Sequence, residues 1–458
     1  MDKITALNLR YCFRFQLETT SPSERPSFHF LLAQYMNRKH SRVRKFCAKL
    51  LLILIGIGVG GVIAELALRV AGYSYPEFYQ RDEVRGFSLL PGAEGWYRKE
   101  GEAYIRINSD GLRDQEHAIA KPDNTLRIAV VGDSYCEAFS VSLEEAFWSV
   151  MERKLAECGA FSDKQIEVIN FGVSGYGTAQ ELITLREKVW KYSPDLVLLA
   201  VTTNNDITDN SRVLKKTDEI PYFVYQGAQL SLDESFRNSR ALHFSNSRVG
   251  RVGTWLRSHS RVIQAITQGL HGFKVLQASW RAKRSAAAQP APPAPNNNAD
   301  AGKTPGKSDL FARSEELGTD NLIYLEPNNA VWNDAWRVTE GLIVQMRDDV
   351  SRGGAKFLVV TLSNGPQVLP DARSREIFKS RFGITDLFYP DNRIKSLGVR
   401  QGITVITLAP ELQEFAEQNN VFLHGFGKNL GNGHWNAAGN RVAGELIAKK
   451  ICAGTLLK

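Results

Sequence analysis

Four places in this 458-residue chain carry residue types that suit covalent acyl chemistry. Gly132-Asp133-Ser134 follows a short apolar run and precedes a helical pattern. A serine on such a tight turn can face a cleft, and its own N–H points out with the helix N-terminus. Asn170 to Gln180 reads NFGVSGYGTAQ, and its glycines let the backbone come close to a ligand. A third apolar run ends in TTNNDITDN, where an asparagine amide can donate a hydrogen bond to a developing oxyanion. Near the C-terminus, GNGHWNAAGN sets His434 on a loop before the last helical pattern. Nucleophile, glycine N–H, asparagine amide and base are together the parts of a serine acyl-transfer site.

Singly, each feature has an ordinary explanation: Asp and Ser cap helices, Asn and Asp build turns, and a lone histidine before a helix is usually structural. Two sharper alternatives fail. The order Gly172, Gly175, Gly177 does not fit the dinucleotide fingerprint and comes after the second strand of the unit, not the first. An α/β-hydrolase elbow around Ser174 needs glycine where Tyr176 stands. The four features in this order are far less expected by chance than any one of them.

The elements that must position them alternate. Leu126–Val131, Ile166–Phe171, Leu196–Val201, Lys356–Leu362 and Ile403–Leu408 read as strands. Helical patterns run over Glu144–Glu157, Gln180–Lys191, Ala335–Arg352 and Ala438–Lys450. Near-continuous apolar strands between helices predict about five parallel strands covered on both faces, a doubly wound α/β domain over 123–458. In such sheets ligands bind at the carboxyl ends of the strands, where Ser134, the Gly175 loop and Asn205 fall. A long interruption, about 209–318, has the low-complexity centre SAAAQPAPPAPNNNADAGKTPGKS, which lacks the apolar content to pack. It reads as a tolerated surface insertion, with a lid or partner-docking arm as the alternative. The lead-in over 73–122, rich in Gly, Pro and aromatics, reads as irregular structure with short strands.

Charge and hydropathy place the chain. Through Lys49 there are ten Lys and Arg against three Asp and Glu, so residues 1–45 form a basic segment holding most of the net charge of +8. The remainder is close to neutral, which argues against nucleic acid as a partner. Leu50–Ala64 is uncharged and apolar, and reaches spanning length only when its flanks are included. A signal anchor over 46–72 is expected, in preference to a cleaved signal peptide or a core helix. The basic flank keeps the N-terminus in the cytoplasm and exports the chain beyond the helix. Residues before Met36 resemble neither signal nor domain, so a start at Met36 is conceivable. The five cysteines form no C-x-x-C pair, which argues against a metal framework or disulfide-rich scaffold; their number does not select a compartment. Neither metal nor organic cofactor is expected.

Gly132-Asp133-Ser134, the Gly175 loop, the Asn205-Asp206 turn and the His434 block resemble, in order and context, the four sequence blocks of SGNH/GDSL hydrolases. The resemblance spans about 126–450, interrupted by the insertion. AELALRVAGY leading to DGLRD and RIAVVGDSY also looks like membrane-anchored bacterial members of that superfamily. It implies a flavodoxin-like three-layer α/β/α sandwich with Ser134 as nucleophile and His434 as general base. The Ser134 N–H, the Gly175 N–H and the Asn205 amide would form the oxyanion hole. Two departures stand out. Asn204 replaces the usual glycine before Asn205, and the position of the usual orienting acid is Asn432. Without a carboxylate the His434 imidazolium loses its stabilising charge. A Ser–His dyad oriented by a carbonyl, the Asn432 side-chain oxygen, or an acid such as Asp206 or Asp209 could take that place. His424 could also serve the site, but is expected to be structural.

The resulting expectation is an inner-membrane-tethered bacterial enzyme with its catalytic domain in the periplasm, cleaving O-acyl bonds of a small molecule or, preferentially, a cell-envelope glycan. The alternatives are an acyltransferase using the same acyl-enzyme, and a catalytically impaired envelope protein that binds glycan or partners.

Overall fold

In the computed structural model, residues 28–203, 205–270, 273, 277, 280 and 319–454 are described, with side chains from residue 44. The low-complexity centre of the insertion, residues 1–27 and Asn204 lie outside them. The chain divides into two compact units, Met1–Tyr73 and Ser74–Lys458. In the first, helix α1 covers Phe28–Val70. Its Arg44–Val70 stretch of 27 residues is long and apolar enough to cross a membrane, and its apolar window is not buried. At 1.5 Å rise per residue it spans roughly 40 Å, beyond the roughly 30 Å of a hydrocarbon core.

The second unit begins with two hairpins, β1 (Tyr79–Asp82) with β2 (Gly86–Leu89), and β3 (Glu94–Tyr97) with β4 (Ala103–Arg106). In β4, Ala103 and Ile105 are buried while Tyr104 and Arg106 are exposed, the period of two of a half-buried strand. With Phe78, Leu89, Phe139, Val173 and Tyr176 they form a small core of their own. The lead-in is thus folded onto the rest of this unit through short strands.

Next along the chain comes a five-stranded sheet: β5 (Thr125–Val131), β6 (Gln165–Asn170), β7 (Leu196–Thr202), then β10 (Lys356–Leu362) and β11 (Thr404–Thr407). All pairings are parallel, in the order β6-β5-β7-β10-β11. This is the flavodoxin-like order, with its switch between β5 and β7. The strands read as unbroken apolar runs because both faces are covered. In β7, Val197, Leu199 and Val201 enter one core cluster, while Leu196, Leu198 and Ala200 enter the other.

Helices labelled in chain order are α2 (Ser134–Glu137), α3 (Phe147–Glu157), α4 (Thr178–Glu187), α5 (Arg248–His259) and α6 (Ala330–Arg352). They continue with α7 (Ala372–Phe382), α8 (Tyr389–Gln401), α9 (Ala409–Asn419) and α10 (Ala437–Ala453). The four expected helices correspond to α3, α4, α6 and α10, with ends shifted by a few residues. Helices α7 and α8, between β10 and β11, and α9, after β11, are not among the expected helices. Helix α10 packs along α3, where Gly444 meets the Phe147 carbonyl and Val150 with no room for a Cβ. A disulfide, Cys158–Cys452, joins the far ends of this pair. The insertion opens with hairpin β8 (Tyr222–Gln226) and β9 (Gln229–Asp233) and continues into α5 and helical residues 261–270.

Candidate active site

Ser134 is the first residue of α2, directly after β5. Its N–H therefore lies among the free donors of a helix start. Asp133, fully buried, caps that turn: its carboxylate accepts the Tyr135 N–H at 3.0 Å and the Thr202 hydroxyl at 2.9 Å. Thr202 is the last residue of β7, so the end of that strand is tied to the residue before Ser134. Burial raises the Asp133 pKa, partly offset by these donors.

The His434 Nε2 lies 2.8 Å from the Ser134 Oγ, across 300 residues of sequence. On the other side of the ring, Nδ1 is 2.5 Å from Oε2 of Glu100, whose Oε1 accepts the His434 backbone N–H at 2.8 Å. Glu100 thus grips both the ring and the backbone of the histidine. With Nδ1–H donated to Glu100, Nε2 is left to accept the serine proton. Burial pulls the His434 pKa down, but the hydrogen bond and charge of Glu100 more than offset it, and the net shift is upward. Glu100 shows the converse: burial raises its pKa, while its bonds to His434 bring it below the usual carboxylate value.

Of the expected orienting groups, none fills the role. Asn432 is exposed and its backbone N–H donates to Asn429, while the ring nitrogen it would have addressed is already held by Glu100. The Asp206 carboxylate accepts the Thr202 N–H at 2.8 Å, and Asp209 pairs with Lys215. The carboxylate comes from the β3–β4 turn, 334 residues before the histidine, where no local spacing marks it. Two glycines let it approach. A Cβ at Gly433, at φ +85°, would run into the Glu100 carboxylate, and one at Gly101, at φ +70°, would meet the Ser140 carbonyl.

His424 is structural, as expected. Its Nδ1–H donates to the Gly433 carbonyl at 2.7 Å, and its Nε2 accepts from the Ser363 hydroxyl, which in turn accepts the Trp435 indole N–H. Burial pushes its pKa down to about 4, so it stays neutral and buttresses the turn that presents His434.

Gly175 sits after β6 at φ +81°, a conformation that favours glycine, and among the described residues its N–H has no acceptor. The neighbouring Ser174 N–H donates to Glu137 at 2.7 Å, and the other oxygen of Glu137 accepts the Tyr79 hydroxyl at 2.6 Å. Glu137 is 2% exposed, and burial pushes its pKa up to about 7 against the pull of these donors and of Arg113. Sequence reasoning passed over it, because a glutamate one turn into a Ser-initiated helix looks like a solvent-facing residue. Beside Ser174 opens a cavity of about 630 Å³ walled by Tyr79, Phe87, Trp96 and Tyr97, with Lys99 at its edge and Arg257 and Gln268 from the insertion opposite. Among the described residues, no group of His, Cys, Asp and Glu is arranged to hold a metal ion.

Strand order defines a doubly wound α/β domain, with Ser134, His434 and Glu100 joined by hydrogen bonds at its switch point. No protein-family model matches it, and no curated protein matches its sequence. Among solved structures it is similar to an acetyl xylan esterase, at 12% identity and TM-score 0.33, over 71% of this chain and 99% of that one. It is also similar to a protein assigned to the G-D-S-L lipolytic family from Desulfitobacterium hafniense, at 11% identity and TM-score 0.30, over 71% and 99%. A catalytic mutant of an acetylxylan esterase from Geobacillus stearothermophilus gives 7% identity and TM-score 0.35, over 74% and 99%.

Proposed function

We propose that this protein is a membrane-tethered serine esterase that cleaves O-acyl bonds through an acyl-enzyme on Ser134, with His434 as general base and Glu100 as the acid that orients it. The observation that carries this reading is the continuous line Ser134 Oγ, His434 Nε2, His434 Nδ1, Glu100 Oε2, at 2.8 Å and 2.5 Å. In the first half-reaction Ser134 Oγ attacks the ester carbonyl carbon while its proton passes to His434 Nε2. Charge on the carbonyl oxygen is met by the Ser134 and Gly175 N–H groups and the Asn205 amide. The tetrahedral intermediate collapses as His434 returns the proton to the departing alcohol oxygen. Water, deprotonated by His434, then releases the acid and restores the serine.

The rival reading, an impaired binding protein, drew its force from an absent triad acid. Glu100 removes that reason. The favoured substrate is an O-acylated cell-envelope glycan, in keeping with the expected export of the domain. The cavity beside Ser174 suits a sugar, since aromatic walls meet the apolar ring faces and long polar side chains reach the hydroxyls. The Cys158–Cys452 disulfide supports an oxidising compartment such as the periplasm.

The test is fluorophosphonate labelling of the full chain in detergent, beside Ser134→Ala and His434→Ala. Labelling of the parent that is lost in both variants is expected. A folded parent that does not label overturns the enzyme reading and returns the binding protein to first place.

A further inference from the structure

Although the chain beyond residue 49 is nearly neutral as a whole, its charge is unevenly spread. From Ser235 to Arg284 there are ten Lys and Arg and no Asp or Glu. The same stretch holds α5 and the helical residues 261–270, and both expose apolar side chains. In α5, Val249, Val252, Trp255 and Leu256 fall within one arc of the helix and are exposed, Val249 by 70% and Trp255 by 58%. Further on, Ile266 and Leu270 stand four apart on the helical stretch 261–270, and both are exposed, as are Phe273 and Trp280. Arg248 lies within the α5 arc and Arg251 beside its Trp255 edge, and neither has an ion-pair partner among the described residues. The inner side of these helices is engaged: Gln264 is buried and accepts the Tyr75 N–H at 2.9 Å, and Arg257 pairs with Glu77.

Apolar aromatic and aliphatic residues on one side, with arginines beside them and no acid, are the composition of a helix that lies in a lipid interface. We propose that α5 and the helical residues 261–270 form a docking surface for an anionic bilayer, a membrane contact separate from helix α1. The esterase reading is not needed for it. Charge selects the occupant. A nucleic acid would meet the arginines but leave the apolar arc in water. A second copy would bury the arc but bring two cationic faces together, which is unfavourable. An anionic lipid surface satisfies both: acyl chains take the apolar arc and headgroups take the arginines. The chain already holds a helix able to cross a membrane, so a bilayer is within reach of the domain. Because α5 and residues 261–270 also close one side of the cavity beside Ser174, docking would hold that wall against the lipid headgroups.

The test uses the full chain in nanodiscs, with Cys12 and the exposed Cys47 changed to Ser and a nitroxide placed at Val252→Cys or, as a control on α8, at Val399→Cys; Val399 is 82% exposed. Collision with oxygen and with a water-soluble nickel chelate measures immersion. In phosphatidylglycerol nanodiscs the Val252 nitroxide is expected in lipid and the Val399 nitroxide in water. Combining Arg248→Glu with Arg251→Glu should return the Val252 nitroxide to water, because each cation lost near the surface lowers the docked population roughly fivefold. A Val252 nitroxide as wet as the control in anionic lipid overturns the proposal. So does equal immersion in purely zwitterionic nanodiscs, which removes the charge selection. Protection that appears only with two copies per nanodisc assigns the surface to a second copy instead.

Discussion

At the scale of single residues, the proposed mechanism makes the grip of Glu100 on His434 the determinant of both rate and pH dependence. The base works only when neutral, so activity should rise with pH through the His434 pKa. Glu100 holds that pKa above its ordinary value. Glu100→Gln removes the charge, so the acid limb of kcat/KM should move to lower pH while the plateau falls, by about 10²–10⁴-fold as for a neutralised triad acid. A pH–rate profile checks both, and an unmoved acid limb would show that Glu100 does not act on the histidine. Gly433→Ala attacks the same contact sterically, by strain at φ +85° and by collision with the Glu100 carboxylate. Displacing the pair by about 1 Å should cost on the order of 10² in kcat. Activity measured on protein with an unchanged circular dichroism spectrum separates this effect from unfolding.

Between elements, the α3–α10 pair fixes where His434 stands, because the loop carrying it runs straight into α10. Trp435 anchors that entry among Phe147, Tyr135 and the Ser363 hydroxyl. The disulfide closes the opposite end of the pair. Closing so long a loop stabilises chiefly by restricting the unfolded chain, and Cys158→Ser should lower stability by about 2–4 kcal/mol. Thermal unfolding with and without reductant tests this: the parent's Tm should fall on reduction to that of the variant, whereas equal, reductant-insensitive Tm values would mean the bond is not formed. The hairpins of the lead-in belong to the same account. Deprived of β3 and β4 the domain would keep its sheet and lose its acid.

For the whole molecule, helix α1 and its basic flank set the expected topology. A reporter fused after Lys458 should be active if it works only outside the cytoplasm, as alkaline phosphatase does, and dark if it needs the cytoplasm. The reverse pattern would refute export of the domain and with it the envelope-glycan substrate. The disulfide makes the same demand independently, since it forms readily only in an oxidising compartment.

Period and order along the chain were enough to determine the parallel sheet, because strands buried on both faces must be apolar throughout; the strand ends then pointed to Ser134, Gly175 and Asn205, and the loop before the last helix to His434. Capping chemistry and glycine placement are local, and local chemistry is written in sequence. Glu100 was beyond that reach: its partner lies 334 residues away, and only the folding of the β3–β4 turn over the strand ends brings the two together. Asn432 occupied the expected position by spacing alone, and spacing says nothing about which distant segment fills a gap in three dimensions. The uneven charge of the insertion was legible in its composition, but its meaning required knowing which side chains face water. Burial is a property of the tertiary structure, set by what packs against what.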